Sequence, residues 1–184
     1  MAVKPFVLEK IAKGEYIKLD IGSGNKHEPE YLRLDKAEFV DPDILCDLEV
    51  DGIPLPDSSV DEVRMIAVLE HCRDVIPVLN EIWRVCKDGA SVHIAVPHWS
   101  CDDHHGDPTH KSTFTEASAS YWDKRSLHYT NTDYGVKCAF DVLATEIEYH
   151  PSFHSMPIPM QEVAANFWRN IKLRIHYRLR AVKE

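Results

Sequence analysis

No stretch of this sequence approaches the roughly 20 consecutive apolar residues that a membrane-spanning helix requires. The opening segment, MAVKPFVLEKIAKGE, lacks a small-residue cleavage site and mixes Lys and Glu among its apolar residues, which is not the pattern of a secretion signal. A cytoplasmic protein is therefore expected. No CxxC pair occurs. The five cysteines (Cys46, Cys72, Cys86, Cys101 and Cys138) are odd in number and widely spaced, so reduced thiols that serve packing are expected. Repeats, low-complexity tracts and Gly/Ser/Pro-rich linkers are also missing, which points to one domain over residues 1–184. An excess of basic charge is missing too: the formal net charge of −9 repels polyphosphates and argues against a general nucleic-acid binder. One segment dissents. From Arg169 to Lys183 there are six basic residues and no acid, which is either a solvated strand face or an anion-binding surface.

What is present is the periodicity of an α/β protein. Phe6, Val7, Leu8 and Ile11 fall on a helical stripe that Gly14 ends. YIKLDIG and YLRLD read as strands, and DILCDL and EVRMIAVLEH as two more. DVIPVLNEIWRVCKDG places Ile76, Leu79, Ile82, Trp83 and Cys86 at helical spacing, with Asp74 to cap the start and Gly89 to stop it. ASVHIAVPH is the near-continuous apolar run of a central parallel strand. Further on come a strand in CAFDVLATEIEYH, a short helix in MQEVAANFWRN, and IKLRIHYRL. That last segment alternates cleanly, with Ile171, Leu173, Ile175, Tyr177 and Leu179 on one face and Lys172, Arg174, His176 and Arg178 on the other, as an antiparallel strand with one wet face does. The expected fold is a Rossmann-like, mostly parallel sheet with helices on both faces and an antiparallel C-terminal strand. Such sheets bind ligands at the carboxyl ends of their strands.

The glycine turn LDIGSGNKHEPEYLRLD has Gly22 and Gly24 but His27 where a dinucleotide site has its third glycine. Only NKHEPE separates Gly24 from the next strand, too short for a crossover helix with its loops, so the first crossover is short and no helix N-terminus backs a pyrophosphate. Asp35, at the end of the second strand, is placed to accept both ribose hydroxyls of a nucleoside. A nucleoside whose other half carries no phosphate suits this turn, and S-adenosylmethionine is such a ligand.

The order LDIGSG, LRLD, ILCDLEVDGIPLPDSSVDEVRMIAVLEH, VLNEIWRVCKDGASVHIAVPH resembles the class I S-adenosylmethionine-dependent methyltransferases, in particular the group with a methyltransferase type 11 domain, over residues 17–115. GDPTHKSTFT resembles a segment found in many bacterial members. The resemblance implies that Asp20, Gly22 and Gly24 contact the methionine and ribose portions of the cofactor and Asp35 the ribose diol. It places Asp47 near the adenine amine, Leu48 against the adenine ring, and Ala67, Leu69 and His71 over the sulfonium. The truncated first helix departs from the family pattern at Asn25 to Glu30.

Methyl transfer from a sulfonium needs alignment and, for a hydroxyl acceptor, loss of a proton. The long, histidine-rich loop at about 97–130 supplies His98, His104, His105 and His110, with Asp102, Asp103 and Asp107 beside them. Three readings stay open. His110 and His98 are the favoured bases, a divalent metal held by Asp and His residues is a second reading, and an inert lid turned by Asp107 and Thr109 is the third. Trp99, Phe114, Tyr121 and Trp122 are candidates to line an acceptor pocket. The function expected is methyl transfer to an oxygen, or less favourably a nitrogen, of a small metabolite or sugar-derived acceptor. The alternatives are a catalytically inactive S-adenosylmethionine-binding regulatory or assembly protein, and an RNA methyltransferase that uses the Arg169–Lys183 surface.

Overall fold

The computed structural model describes residues 1–131 and 134–183. Eight strands form one sheet: β1 (Ala2–Val3), β2 (Lys18–Ile21), β3 (Leu32–Asp35), β4 (Ile44–Leu45), β5 (Val60–Ile66), β6 (Cys86–Pro97), β7 (Phe140–Tyr149) and β8 (Lys172–Ala181). Their spatial order is β1-β4-β3-β2-β5-β6-β8-β7. The pairs β2–β3, β2–β5, β3–β4 and β5–β6 are parallel, whereas β8 runs antiparallel to both β6 and β7. This is the Rossmann-like arrangement expected, with the antiparallel C-terminal strand wedged between β6 and β7.

Helix α1 (Pro5–Ala12) starts on a proline and buries Val7, while Phe6 and Leu8 of the expected stripe stay largely in solvent. Helix α2 (Val75–Val85) buries Val78, Leu79, Ile82 and Val85, and Asp74 caps it by accepting the Ile76 N–H. Gly89 is not its stop. The chain turns from helix straight into β6 at Cys86, whose backbone is already extended, and Gly89 (φ 78°) lies at an irregularity where the β5–β6 register jumps from Val60–Cys86 to Glu62–Ser91. Trp83 fastens the far end of the chain: its indole N–H donates to the Val182 carbonyl and the Lys183 ammonium lies 3.7 Å from the ring centre.

One apolar cluster runs from Val7 to Ala181 and takes in Leu19, Ile21, Val63, Met65, Val92, Ile94, Tyr177 and Leu179 from alternate positions of the strands. The other parity of the same strands is polar. Asp20 pairs in register with Arg33 and Arg64, Arg64 with His93, and His93 with Arg178. No α-helix intervenes between Ile21 and Val60, so the turns after β2 meet this polar face with side chains in place of a packed helix. Glu28 accepts from Arg64, Glu30 from Lys18, and Tyr31 bonds Glu62 while the Arg64 guanidinium lies over its ring.

The basic residues near the C-terminus are matched by acids, three of them on β7. Arg174 faces Glu148, Arg178 faces Glu146 and Arg180 faces Asp141, while Lys172 reaches Glu116 and Glu162 and Arg169 reaches Asp102. Lys183 donates to the Trp83 carbonyl. The acid-free run in the sequence is thus a neutralised face, because antiparallel pairing brings acids from elsewhere in the chain alongside it. Among the described residues no helix is long and apolar enough to cross a membrane.

Candidate active site

The carboxyl ends of β2, β3 and β5 open onto a cleft of about 700 Å³, and a second cleft of about 910 Å³ lies beside it. The two share Ala67, His71, Pro108 and Thr109.

The first cleft begins at Gly22, which has φ 67° and packs so closely on Val68 that a Cβ there would overlap the valine methyl. Gly24 is also left-handed, but nothing lies within 4 Å of the place its Cβ would take. Asp35 holds this turn: its Oδ2 accepts the Gly24 N–H at 2.8 Å and its Oδ1 the Ala37 N–H at 2.9 Å. Each oxygen keeps acceptor capacity for a further donor from the cleft. Asp47 and Leu48 line the same cleft, with one Asp47 oxygen taken by the Glu49 N–H. Ala67, with φ 56°, closes the β5 end.

The structure thus brings Gly22, Asp35, Asp47, Leu48, Ala67 and His71 to one cleft. It does not bring Asp20 and Leu69 there. The Asp20 side chain is on the polar face, in a two-bonded ion pair with Arg64 (3.0 and 2.7 Å), and together with Gly24 it borders a separate, smaller cleft. Leu69 is fully buried in the apolar core, because the single 3-10 turn Leu69–His71 points it inward and turns Glu70 and His71 toward the clefts. Sequence reasoning missed Lys36, Cys46, Glu49, Cys72 and Lys111 along the first cleft. Burial pushes the Cys46 thiol up to about 12 and the Cys72 thiol up to about 11, so both remain protonated packing groups. All five cysteines are buried and unpaired.

The histidine-rich loop folds over the junction. It contains the short helix α3 (Asp102–Gly106), a 3-10 segment Glu116–Tyr121 and the short helix α4 (Leu127–Asn131). His98 does not reach either cleft. It is 3% exposed, its Nδ1 accepts the Ser100 N–H, and its Nε2 faces Glu116 at 3.3 Å. Burial lowers its pKa against the opposing pull of Glu116. With both nitrogens engaged it is a structural histidine. His110, by contrast, lines the second cleft, and its Nδ1 donates to the His104 carbonyl at 2.9 Å, so Nε2 carries the lone pair. The His71 ring meets it edge-on with centres 4.7 Å apart. Asp102, Asp103 and Asp107 line this cleft as well. The four aromatic candidates are not in its wall: Phe114 and Trp122 are core residues, while Trp99 and Tyr121 are partly exposed elsewhere.

Residues 24–94 match the family described as the methyltransferase domain. An S-adenosylmethionine-dependent methyltransferase from Archaeoglobus fulgidus superposes with a TM-score of 0.61 at 16% identity, covering 95% of this chain and 90% of that one. Residues 24–94 thus carry the sequence pattern of the methyltransferase domain, and the chain as a whole has the fold of an S-adenosylmethionine-dependent methyltransferase. An S-adenosylmethionine-dependent methyltransferase from Mesorhizobium loti has the same fold (TM-score 0.54, 14% identity, 89% and 90% coverage). So does the 16S rRNA (adenine(1408)-N(1))-methyltransferase of Catenulisporales acidiphilia (TM-score 0.55, 16% identity, 100% and 93% coverage). No curated protein sequence matches this one. At these identities the likeness to these neighbours is one of fold.

Proposed function

We propose that this methyltransferase acts on a hydroxyl oxygen of a small, polar, uncharged or cationic acceptor, such as a metabolite or sugar derivative. The observation that carries the reading is the shared wall of the two clefts. A donor in the first and an acceptor in the second would meet at Ala67, His71, Pro108 and Thr109.

The first cleft suits S-adenosylmethionine by volume, since small-molecule sites span about 300–1,000 Å³. It suits it chemically too. Asp35 retains acceptor capacity for a diol, Leu48, Cys46 and Cys72 offer an apolar surface to a purine, and the bare backbone at Gly22 allows close approach. Bound there, the cofactor supplies a methyl group on a positively charged sulfur, so transfer leaves a neutral thioether. The protein's own part is to hold the acceptor oxygen in line and ease the loss of its proton. His110 lines the second cleft with its Nδ1 donating to the His104 carbonyl, which in the neutral ring puts the lone pair on Nε2, and it is the residue on which that proton loss depends.

The second cleft is lined by Glu70, Asp102, Asp103, Asp107 and Glu148 against the single Arg174, itself 3.5 Å from Glu148. That balance disfavours a phosphodiester acceptor, and the neutralised β7–β8 face offers RNA no free basic surface. The test is calorimetry with S-adenosylmethionine, followed by an acceptor screen for S-adenosylhomocysteine across polyols, sugars, phenols, amines and RNA. Turnover with a hydroxyl compound, reduced about 10²- to 10⁴-fold in His110→Ala with cofactor affinity unchanged, is the expected outcome. Cofactor binding without turnover on any acceptor would make this a binding protein, and turnover on RNA with a steep salt dependence would replace the acceptor class.

A further inference from the structure

Glu70 presents a problem that the methyl-transfer reading leaves unsolved. Its residue exposure is 0%, and neither carboxylate oxygen has a hydrogen-bond partner. A buried carboxylate left without partners costs several kcal/mol unless it is neutralised by a proton or a cation. Glu70 nevertheless belongs to the wall of the second cleft, and it stands among potential ligands: one donor atom each from Glu70, His71 and His110 lies within 4.8 Å of the others.

The hydrogen bonds around the two histidines prepare both for coordination. His110 gives its Nδ1–H to the His104 carbonyl, which leaves Nε2 with a free lone pair. His71 is set by a longer relay. The Thr109 hydroxyl donates to Asp107 Oδ1 at 2.6 Å, so its oxygen accepts from His71 Nδ1 at 2.9 Å, and the lone pair again falls on Nε2. Metal-bound histidines commonly have this arrangement, with the second ring nitrogen donating to a carbonyl or, directly or through a hydroxyl, toward a carboxylate.

We infer that Glu70, His71 and His110 form a binding site for a divalent transition-metal cation at the junction of the two clefts. Two imidazoles and one carboxylate favour zinc, cobalt, iron or manganese over magnesium or calcium, which prefer all-oxygen shells. Ligand atoms around one such ion sit about 3–3.5 Å apart, so the three side chains draw in by about an ångström on binding. Three protein ligands leave at least one coordination position facing the second cleft. The role in catalysis rests on the methyl-transfer reading. An acceptor hydroxyl bound at the open position loses its proton to solvent more easily, its oxygen then bonds the methyl carbon, and the carbon–sulfur bond breaks with the electron pair remaining on sulfur.

The test uses the full chain stripped with chelator and then titrated with Co²⁺ and Zn²⁺, followed by calorimetry and by the visible absorption of Co²⁺. One ion per chain with micromolar or tighter affinity is expected, weakened at least about 100-fold in Glu70→Gln and in His110→Ala, and about 10- to 100-fold in Thr109→Val, which removes the bond that sets His71. His105→Ala, whose ring faces the Trp99 carbonyl outside the cluster, should bind like the unaltered chain. Sub-stoichiometric binding, or binding unaffected in both Glu70→Gln and His110→Ala, overturns the site; if one variant fails to fold, the other decides. Calorimetry with S-adenosylmethionine on the same samples separates the two readings. A chain that takes the metal but not the cofactor loses the function proposed above and keeps the metal site, and the converse result does the opposite.

Discussion

Gly22 and Val68 lie so close that the fold leaves no room for a side chain at the glycine. The contact ties the turn after β2 to the segment after β5, two walls of the first cleft. Gly22→Ala therefore meets both a positive φ and a steric overlap, and should destabilise the protein by about 2–4 kcal/mol. Combining it with Val68→Ala removes the overlap but not the backbone strain, so thermal melts should show partial recovery. Full recovery, or no loss in the single variant, would contradict this account.

Asp35 bonds the Gly24 N–H and borders the first cleft, where the proposed function seats the cofactor's ribose. Asp35→Asn keeps an oxygen for Gly24 but removes the charge and one acceptor. The expected result is a loss of S-adenosylmethionine affinity of about 10- to 100-fold, as for hydrogen bonds to a charged group, with a small change in melting temperature. Calorimetry measures the first and a thermal scan the second. An unchanged affinity would remove Asp35 from the ribose.

Asp20 and Arg64 are both largely buried on the polar face of the sheet, and the pair also anchors Glu28. Removing one partner strands the other, so Arg64→Ala should cost about 3 kcal/mol. Adding Asp20→Ala to that variant should cost little more. A double-mutant cycle in urea reads this directly, and additive losses would show that the two side chains share no energy.

His93 sits among Arg64, Arg178, His176 and Glu146, with its Nε2 3.0 Å from His176 Nδ1. Burial, then the Arg178 and His176 charges, push its pKa down to about 4 from the ordinary 6.5. The folded chain thus keeps His93 neutral where the unfolded chain takes up a proton. The stabilisation is complete above pH 6.5 and is lost progressively as the pH falls toward 4. After allowance for solvent screening the loss is about 2 kcal/mol, or about 4–8 °C in melting temperature between pH 7 and pH 4.5. His93→Gln should flatten that part of the profile, and an unchanged slope would place the titrating group elsewhere.

The sequence alone carried the class of fold. Period-two and period-3.6 patterns mark β2, β5, β6, β8 and α2, and the six residues between Gly24 and Tyr31 exclude a crossover helix, because these properties depend on neighbours along the chain. That Gly22, Asp35, Asp47 and Leu48 share one cleft was legible for the same reason: strand ends in a parallel sheet converge, and these residues lie at strand ends or just beyond. What tertiary structure decided is the direction and partnering of side chains. No local pattern shows that His98 turns into the protein while His110 opens on the cleft, that Leu69 belongs to the core, or that Asp20 is committed to Arg64. The acids opposite Arg174, Arg178 and Arg180 come from a strand some 30 residues away, and Glu70 meets His110 only because the loop doubles back over the end of β5. Those relationships depend on the packing of segments distant in sequence, which sets hydrogen bonding and desolvation and so determines what each residue type can do.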